Sequence, residues 1–484
     1  MAAISLAVSF PYWCAAAKVP TFAGRVAAII FNNCVSCHRP GEAAPFPLMT
    51  YQEVRKRARQ IAEVTGTKFM PPWHAEAGHT ELLHPRILSE NQIATLRQWY
   101  EGGMPEGAAA RLPKLPVFPE GWQLGRPDLV VKMERPFKLY AEGPDIYRNF
   151  VFPLNLPDDK WVRAIEFRPG ARSIVHHALF YLDPTGAARE LETPDGQPGF
   201  GEKGRVGRDF KPVGGWAIGS NVRVLPEDLA YSYPKGADLV VQTHFHPTGK
   251  AEEEITTIGL FFADKPPKRS FAGVQLPPAF GQISGIDIPA GETNYVVKDS
   301  FTLPVDAEAF SVSPHAHYLA KTMTMKAVLP DGRVQILLRI PDWDFSWQEH
   351  YDFKERVRLP KGTRLESELI YDNSATNPRN PASPPVRVKW GTASTDEMGS
   401  LTLHVIPMQE ADKEALRDAL KDHSTDMVIA RAEQSGRQKP MMKMLLERFD
   451  KDGDGKIDGD ERAKLRSFVR SSGFIPGNLI NNSF

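Results

Sequence analysis

Proline and glycine interrupt the middle of this chain at short intervals, and this spacing limits its possible folds more than any other feature. The chain contains 42 prolines and 37 glycines. Between Trp122 and Val405, runs rich in Val, Ile, Phe and Tyr are separated by Pro, Gly or Asp about every ten residues, as in strands joined by turns. A stretch of about 280 residues with this pattern favours two all-β domains, each a sandwich or a barrel.

Length and charge limit the number of domains and the kinds of partner. The chain of 484 residues is long enough for about three or four domains. Its 59 basic and 59 acidic residues balance, so net charge does not favour nucleic acid or an anionic membrane as a partner. The sequence has no run of about 18 to 20 apolar residues, so no membrane span is predicted. The default expectation is a soluble protein with small ligands.

The run Cys34-Val35-Ser36-Cys37-His38 near the N-terminus is typical of covalent haem attachment. If the run is helical, the thiols of Cys34 and Cys37 lie one turn apart and can form thioethers to one porphyrin edge, while His38 binds the iron. The alternatives are a redox pair or half of a zinc site. They are disfavoured because thioredoxin-like motifs lack the adjacent histidine and the only other cysteine is Cys14.

A methionine further along is expected to complete the haem site. Two prolines follow Met70 and cannot continue a helix, so Met70 is predicted on an extended loop, where a methionine can be the sixth ligand of haem c iron. Met104 is the competing ligand. Met70 as ordinary core filler is a further alternative, and weaker candidate ligands are three nearby histidines, His74, His79 and His84.

Residues 21–105 resemble a class I type cytochrome c domain, a small all-α fold. The resemblance depends on the cysteines and histidine of the haem run, on Met70 ahead of Pro71, and on a closing helix from Ile93 to Tyr100 after a capping-box start at Ser89. A surface helix is predicted over Tyr51 to Val64, from its helical spacing of apolar residues. Covalent haem attachment occurs outside the cytoplasm in bacteria, which implies a periplasmic or secreted protein.

Residues 1–20 are consistent with export. Residues 1–10 are mostly apolar, and Cys14-Ala15-Ala16-Ala17 resembles the small-residue cleavage zone of a secretory signal, although a basic n-region is missing. The alternative is a buried N-terminal strand or helix. The chain then divides into the cytochrome-like residues, a Pro-rich linker, two β domains and a helical tail, and the predicted limits are 21–105, 106–124, 125–275, 276–410 and 411–484.

Six of the 13 histidines stand in three pairs within strand-like sequence. Residues two apart on a strand share a face, so His315 and His317, or His244 and His246, can meet one metal ion. His176 and His177 point to opposite faces unless a bulge or a strand end turns them together. Each pair alone could be an ordinary hydrogen-bonded core or surface pair, but three pairs in one β region predict one metal site and a second.

The same region resembles the copper type II, ascorbate-dependent monooxygenases, the family of peptidylglycine α-hydroxylating monooxygenase and dopamine β-monooxygenase. By this resemblance the electron-transfer copper is held by His176, His177 and His244, and His246 is a neighbour of that site rather than a ligand. The oxygen-activating copper is held by His315, His317 and Met398. A thioether ligand favours Cu(I), whereas zinc would gain little from it.

The resemblance implies two antiparallel β-sandwich domains of the jelly-roll type, with two coppers per chain. It also implies hydroxylation of a C–H bond of an organic substrate with O2 and electrons from ascorbate. The haem domain suggests a further expectation, that the haem replaces ascorbate or relays electrons from a periplasmic electron carrier. One alternative is a non-catalytic haem and copper electron-transfer or copper-handling protein, and another is a zinc-bound adhesion module.

A calcium site is predicted in the C-terminal segment. The helical pattern after residue 410 leads into Asp450-Lys451-Asp452-Gly453-Asp454-Gly455-Lys456-Ile457-Asp458-Gly459-Asp460-Glu461, which fits an EF-hand loop. The predicted ligands are the side chains of Asp450, Asp452, Asp454, Asp458 and Glu461 and the backbone carbonyl of Lys456. Only one loop fits, so a structural calcium is expected rather than a signalling switch. The alternative is a solvated acidic loop.

Overall fold

The structure, a computed structural model, describes residues 18–42, 44–118, 121–191, 195–201, 210–220, 222–435 and 440–471. The predicted signal segment falls largely on residues 1–17, which lie outside the described residues. The chain forms two compact units: one contains the chain up to Pro72 together with Arg86–Phe118, and the other contains Trp73–Pro85 and the chain after Phe118.

The first unit is helical in the part of the chain that the structure describes. A π-helical turn at Phe22–Val26 continues into the first α-helix, and a 3-10 turn at Ala109–Arg111 follows the last one. The α-helices are α1 (Ala27–Asn33), α2 (Tyr51–Lys56), α3 (Ala58–Gly66) and α4 (Glu90–Glu101). Their core includes the buried side chains of Phe22, Ile30, Leu96 and Trp99.

Two of the helix predictions can be compared with this unit. The closing helix is confirmed, and its capping box is present because the Gln92 N–H donates to Ser89 Oγ at 3.3 Å and the Ser89 N–H donates to Gln92 Oε1 at 2.8 Å. The single helix predicted over residues 51–64 is wrong. Arg57 has φ −112° and ψ 8°, so the chain breaks there into α2 and α3.

The second unit begins its β structure with a two-layer antiparallel arrangement. One layer has five strands in the order β6-β3-β9-β5-β7, and the other has four in the order β1-β11-β4-β8, while β10 and β2 form a separate pair. Buried side chains from both layers, such as Phe150 and Leu260, share one core. The strands are β1 (Leu129–Lys132), β2 (Phe137–Leu139), β3 (Ile146–Pro153), β4 (Lys160–Arg168), β5 (Val175–Asp183), β6 (Phe200–Gly201), β7 (Lys211–Ala217), β8 (Tyr231–Tyr233), β9 (Asp238–Phe245), β10 (Glu252–Glu254) and β11 (Thr257–Phe262).

A second two-layer arrangement follows. Its layers have the orders β12-β21-β15-β18 and β14-β19-β16-β17, with β13 and β20 paired beside them. Met323, Leu369 and Leu403 lie in its core. The strands are β12 (Ala272–Leu276), β13 (Asp287–Ile288), β14 (Tyr295–Thr302), β15 (Ala307–Ala316), β16 (Ala320–Val328), β17 (Val334–Ile340), β18 (Tyr351–Leu359), β19 (Arg364–Tyr371), β20 (Val388–Lys389) and β21 (Gly399–Pro407). The domain limit predicted between residues 275 and 276 falls within β12.

The segment Trp73–Pro85 packs on this second arrangement. The Glu76 N–H donates to the Arg339 carbonyl at 2.8 Å, and Leu82 forms an isolated bridge with Phe353. The rings of Trp73 and Tyr351 meet edge to face, with centroids 5.1 Å apart. Trp73–Pro85 therefore belongs to the β-rich unit, although these residues were predicted within the cytochrome-like domain.

Three helices follow the last strand in the described part of the C-terminal segment: α5 (Asp412–Ser435), α6 (Pro440–Phe449) and α7 (Gly459–Ser471). They share a core with Ile283, and Ile457 of the acidic loop is fully buried in it. None of the described helices combines the length and apolar character needed to cross a membrane. The expected multidomain, mostly β architecture with several antiparallel sheets is confirmed, and the finer prediction of a cytochrome c domain remains a prediction.

Candidate metal centre

Three histidines converge where β5 pairs with β9. The register between these strands shifts between Val175 and His177, and this bulge places His176 on the same side as His177. His176 Nδ1 lies 3.1 Å from His177 Nδ1, which lies 3.4 Å from His244 Nδ1. One ring nitrogen from each histidine lies within 4.8 Å of the other two, so all three could bind a single metal ion. We call these residues the three-histidine cluster.

A carboxylate orients one member of this cluster. The Nε2 atom of His244 lies 2.8 Å from Asp145 Oδ2, so Nε2–H donates to the carboxylate and Nδ1 keeps its lone pair for a metal. Ser394 Oγ also donates to Asp145 Oδ2, at 2.6 Å. The Nδ1 atom of His246 lies 2.7 Å from the other oxygen of Asp145, and its side chain is 63% exposed, so His246 is a neighbour of the cluster.

The second group of donors lies at the end of β15. His315 Nδ1 lies 2.6 Å from Gln348 Oε1, and His315 Nε2 lies 3.1 Å from the sulfur of Met398. His317 Nδ1 lies 3.1 Å from the Asp396 carbonyl. Because carbonyl oxygens only accept, both Nδ1 atoms carry protons and both Nε2 atoms keep lone pairs. We call His315, His317 and Met398 the methionine cluster.

The two clusters lie close together within the β-rich unit. The ring centroids of His177 and His315 are 6.4 Å apart. Phe345 is buried between the groups, with its ring 4.9 Å from that of His176 and 5.4 Å from that of His317. All six histidine and methionine positions assigned as copper ligands from sequence are thus gathered at one place in the fold.

Burial keeps the imidazoles of His176, His177, His315 and His317 neutral, which is the form that binds metals. It lowers the pKa of His176 to about 3, of His317 to about 3 and of His315 to about 4, and the neighbouring histidines add to the effect. Burial, followed by the charges of His244 and His176, holds the pKa of His177 well below its usual range. Protons therefore compete weakly for these nitrogens at neutral pH.

Two acidic side chains near the clusters have pKa values shifted in opposite directions. Burial would raise the pKa of Asp145, but hydrogen bonds from His244, Ser394 and His246 hold it below its usual range. Glu397 is fully buried beside Met398, and this burial raises its pKa to about 8 despite three backbone hydrogen bonds. Sequence reasoning missed both residues, together with Gln348 and Phe345. Only Glu397 had a local signal, its position next to the predicted ligand Met398.

The cysteine run lies at the end of α1. Cys34 is the C-cap residue of this helix. The N–H groups of Cys37 and His38 donate to the Cys34 carbonyl at 3.2 and 2.9 Å, so the run forms the expected turn. His38 Nδ1 donates to the Phe46 carbonyl at 3.0 Å, which leaves Nε2 available as a ligand. Burial, and then Cys37, raises the pKa of the Cys34 thiol to about 12.

The two candidate distal methionines have different surroundings. Met70 is half-buried in a non-helical segment, as predicted, and its N–H donates to the Val64 carbonyl at 3.0 Å. Met104 packs against the helical core that Cys34 also contacts. The weaker candidates His74, His79 and His84 all lie in Trp73–Pro85, which belongs to the β-rich unit. Met70 and Met104 both remain candidates for the sixth iron ligand.

The acidic loop between α6 and α7 brings three of its predicted calcium ligands together. Oxygens of Asp450, Asp452 and Asp454 lie within 4.8 Å of one another. Gly455 has φ 81°, which suits the sharp turn expected there. Glu461 accepts from the N–H groups of Lys451 and Asp452 across the loop. The remaining predicted ligands, Lys456 and Asp458, are exposed.

Comparisons with known proteins leave the family open. No protein-family model and no curated protein matches the chain. Among solved structures, PNGase F from Flavobacterium meningosepticum aligns with a TM-score of 0.26 and 12% identity over 58% of this chain and 96% of that chain. The infectious bursal disease virus VP2 subviral particle aligns with a TM-score of 0.18 and 7% identity over 61% of this chain and 74% of that one. Likenesses this weak carry no argument about function.

Proposed function

We propose that the protein is a copper-dependent monooxygenase that hydroxylates a C–H bond of an organic substrate with O2. The observation that carries the proposal is the pair of adjacent donor clusters, one with three imidazole nitrogens and the other with two imidazole nitrogens and a thioether. Imidazole suits copper in both oxidation states, and a thioether favours Cu(I). Copper bound there would supply one-electron chemistry toward O2.

The protein's own residues would prepare both clusters for this role. Asp145 and Gln348 each accept a hydrogen bond from a histidine, which fixes the tautomer and the ring orientation. Phe345 shields His176 and His317 from water by burying its ring against theirs. The short separation of His177 and His315 supports direct exchange of electrons between the two clusters.

Substrate-dependent oxygen chemistry tests this proposal. Protein depleted of metal and reloaded with two equivalents of copper should consume O2 with ascorbate only when a candidate organic substrate is present. Labelled O2 should place one oxygen atom in the product. The His315→Ala variant should lose this activity, whereas His423→Gln, at a histidine that pairs with Asp299 outside both clusters, should retain it. Substrate-independent O2 uptake, or none across a broad panel, would contradict the proposal.

The proposed electron source is ascorbate or a haem c bound at Cys34, Cys37 and His38. A fused haem would act as direct donor or relay electrons from a periplasmic carrier. Stopped-flow mixing of the reduced, copper-loaded protein with O2 tests the coupling. Haem oxidation should be faster in the wild type than in His315→Ala, and equal rates would refute the coupling.

A non-catalytic electron-transfer or copper-handling protein is the second candidate. The favouring observation is that buried Phe345 fills space between the clusters, where a substrate would have to approach. This candidate predicts two bound coppers with reversible redox chemistry and no oxygenated product. The labelled-oxygen experiment therefore separates the two candidates.

A further inference from the structure

A buried carboxylate links the two chain segments that form the methionine cluster. Glu397 is 0% exposed. Its Oε1 accepts hydrogen bonds from the backbone N–H groups of His317 at 2.7 Å and Met398 at 2.9 Å, and its Oε2 accepts from that of Leu319 at 2.8 Å. Two of the three donors belong to residues of the methionine cluster.

The position of this carboxylate follows from the end of a β ladder. Strands β15 and β21 pair as far as Ala316 and Gly399, so His317 and Met398 lie directly beyond the last pair. Backbone N–H groups that are buried past a ladder's end still need acceptors. Glu397 supplies those acceptors and so continues the connection between the two segments where the ladder stops.

The loop before Met398 is shaped to present Glu397. The N–H of Glu397 donates to the Lys389 carbonyl at 3.0 Å, and the Glu397 carbonyl accepts from the Gly391 N–H at 3.2 Å. A Cβ atom at Gly391 would lie 2.1 Å from an Asp396 carboxylate oxygen, so glycine is needed for this close approach. The Tyr371 hydroxyl donates to the Met398 carbonyl at 3.4 Å from the opposite side.

We propose that Glu397 is a positioning residue for the methionine cluster, a role that rests on the proposed function. It fixes the backbone of His317 relative to that of Met398, so the imidazole and the thioether are in place before a metal binds. Preorganisation matters here because supporting residues determine how well a ligand set is held in its working geometry. Glu397 does not touch the metal in this role.

Copper(I) affinity provides the test, with two variants and a matched control. Glu397→Ala removes both acceptor oxygens and with them all three hydrogen bonds. Glu397→Gln can keep Oε1 for two donors and turns its amide toward the Leu319 N–H. The control is Glu166→Gln. Glu166 is also buried, at 2% exposure, and accepts from the backbone N–H groups of Gln123 and Leu124, which belong to neither cluster.

The expected result is a selective loss. Competition with a coloured Cu(I) chelator should show one of the two coppers weakened in Glu397→Ala on the order of 10–100-fold, with a smaller loss in Glu397→Gln. The infrared band of carbon monoxide bound to the Cu(I) protein should shift or broaden in both variants. In Glu166→Gln both Cu(I) affinities and the band should match the wild type. Should Glu397→Ala fail to fold, Glu397→Gln carries the comparison.

Two outcomes would overturn the inference. One is an unchanged Cu(I) affinity and carbon monoxide band in the Glu397 variants, and the other is an equal effect in Glu166→Gln, which would indicate general loosening of the fold. Failure of the proposed function would be visible elsewhere, as a wild-type protein that binds two coppers without oxygenating any substrate. The affinity comparison remains decisive for Glu397 in that case.

Discussion

The Nδ1 atoms of His176 and His177 lie 3.1 Å apart although the two residues are neighbours on one strand. Regular β structure would direct them to opposite faces of the sheet. The bulge after Val175 removes this alternation, and His244 on the adjacent strand completes the group. A local irregularity of the backbone therefore creates the three-histidine cluster.

The ligand assignment at this cluster predicts different effects for two histidines that are two residues apart. His244→Ala should reduce bound copper from two ions to one per chain, because a nitrogen that faces the cluster is lost. His246→Ala should retain both, since its exposed ring contacts Asp145 outside the cluster. Metal analysis after gel filtration measures the ratio. Loss of copper in His246→Ala alone would reverse the assignment.

Replacement of Asp145 tests the orientation of His244. Asp145→Asn keeps the size of the side chain but removes the negative charge of the group that accepts the hydrogen bond from His244 Nε2–H. Copper affinity at the three-histidine cluster should fall on the order of 10–100-fold. Asp128→Asn is the control, because that exposed carboxylate accepts from the Phe262 N–H in the same β arrangement. Equal copper titrations for all three proteins would argue against an orienting role.

The sequence was sufficient to predict which histidines and which methionine the fold brings together, but not the residues that support them. Histidine pairs in strand-like runs leave a visible pattern, and this pattern included the condition that a bulge must join His176 to His177. Asp145 and Gln348 leave none, because they act through contacts that span 99 and 33 positions of the chain. Such contacts depend on how the strands are ordered, which composition and spacing do not determine.

Helix boundaries also depend on tertiary contacts that the sequence pattern does not reveal. The apolar spacing over residues 51–64 fits one continuous helix, yet the chain breaks at Arg57, whose guanidinium lies over the Phe46 ring with 4.4 Å to its centroid. A tertiary contact of this kind is invisible to periodicity. The capping box at Ser89, in contrast, is a local interaction between residues three apart, and the sequence was enough to predict it.

The half-buried His404 predicts acid sensitivity. Burial, and then the charge of Arg223, holds its pKa well below its usual range. Below about pH 6.5 this histidine binds a proton in the unfolded chain but stays neutral in the folded chain. The free energy of unfolding therefore falls as the pH is lowered, by at most about 1.4 kcal/mol per pH unit. His404→Asn can keep a hydrogen bond to Ser311 without titrating.

Urea unfolding at several pH values measures this effect. The stability advantage of the wild type over His404→Asn should be largest near neutral pH and should narrow as the pH falls through about 6 toward 5. The other buried histidines are present in both proteins and cancel in the comparison. Parallel stability curves would show that His404 is protonated equally in the folded and unfolded chains.

The haem prediction leads to a comparison of two methionines. Methionine as a sixth ligand raises the reduction potential of haem c, so removal of the true ligand should lower it. We therefore expect either Met70→Ala or Met104→Ala to shift the midpoint in a potentiometric titration, while the other variant matches the wild type. Cys37→Ser should reduce covalent haem attachment in both backgrounds. Unshifted potentials in both methionine variants would exclude both as ligands.

Calcium removal should destabilise the C-terminal helices, because the acidic loop and their core are connected through Ile457. This side chain is fully buried against the core of α5, α6 and α7, while Asp450, Asp452 and Asp454 converge a few residues earlier. A ligand that binds only the folded chain stabilises it by about 2.7 kcal/mol at a concentration near 100 times its Kd. Chelation should therefore lower the melting temperature of the wild type.

The variant Glu461→Gln provides the matching test, since it removes one charge from the predicted bidentate ligand while its side chain keeps nearly the same size. Its melting temperature should be insensitive to both calcium and chelator, and calorimetric titration should show much weaker calcium binding than in the wild type. Asp460→Asn changes the neighbouring acidic residue, which is not a predicted ligand, and should respond to calcium as the wild type does. A calcium response in Glu461→Gln equal to that of Asp460→Asn would show that Glu461 is not a calcium ligand. A wild-type melting temperature that is unchanged by calcium and by chelator would mean that the converging aspartates hold no calcium, and that the buried Ile457 stabilises these helices without a metal.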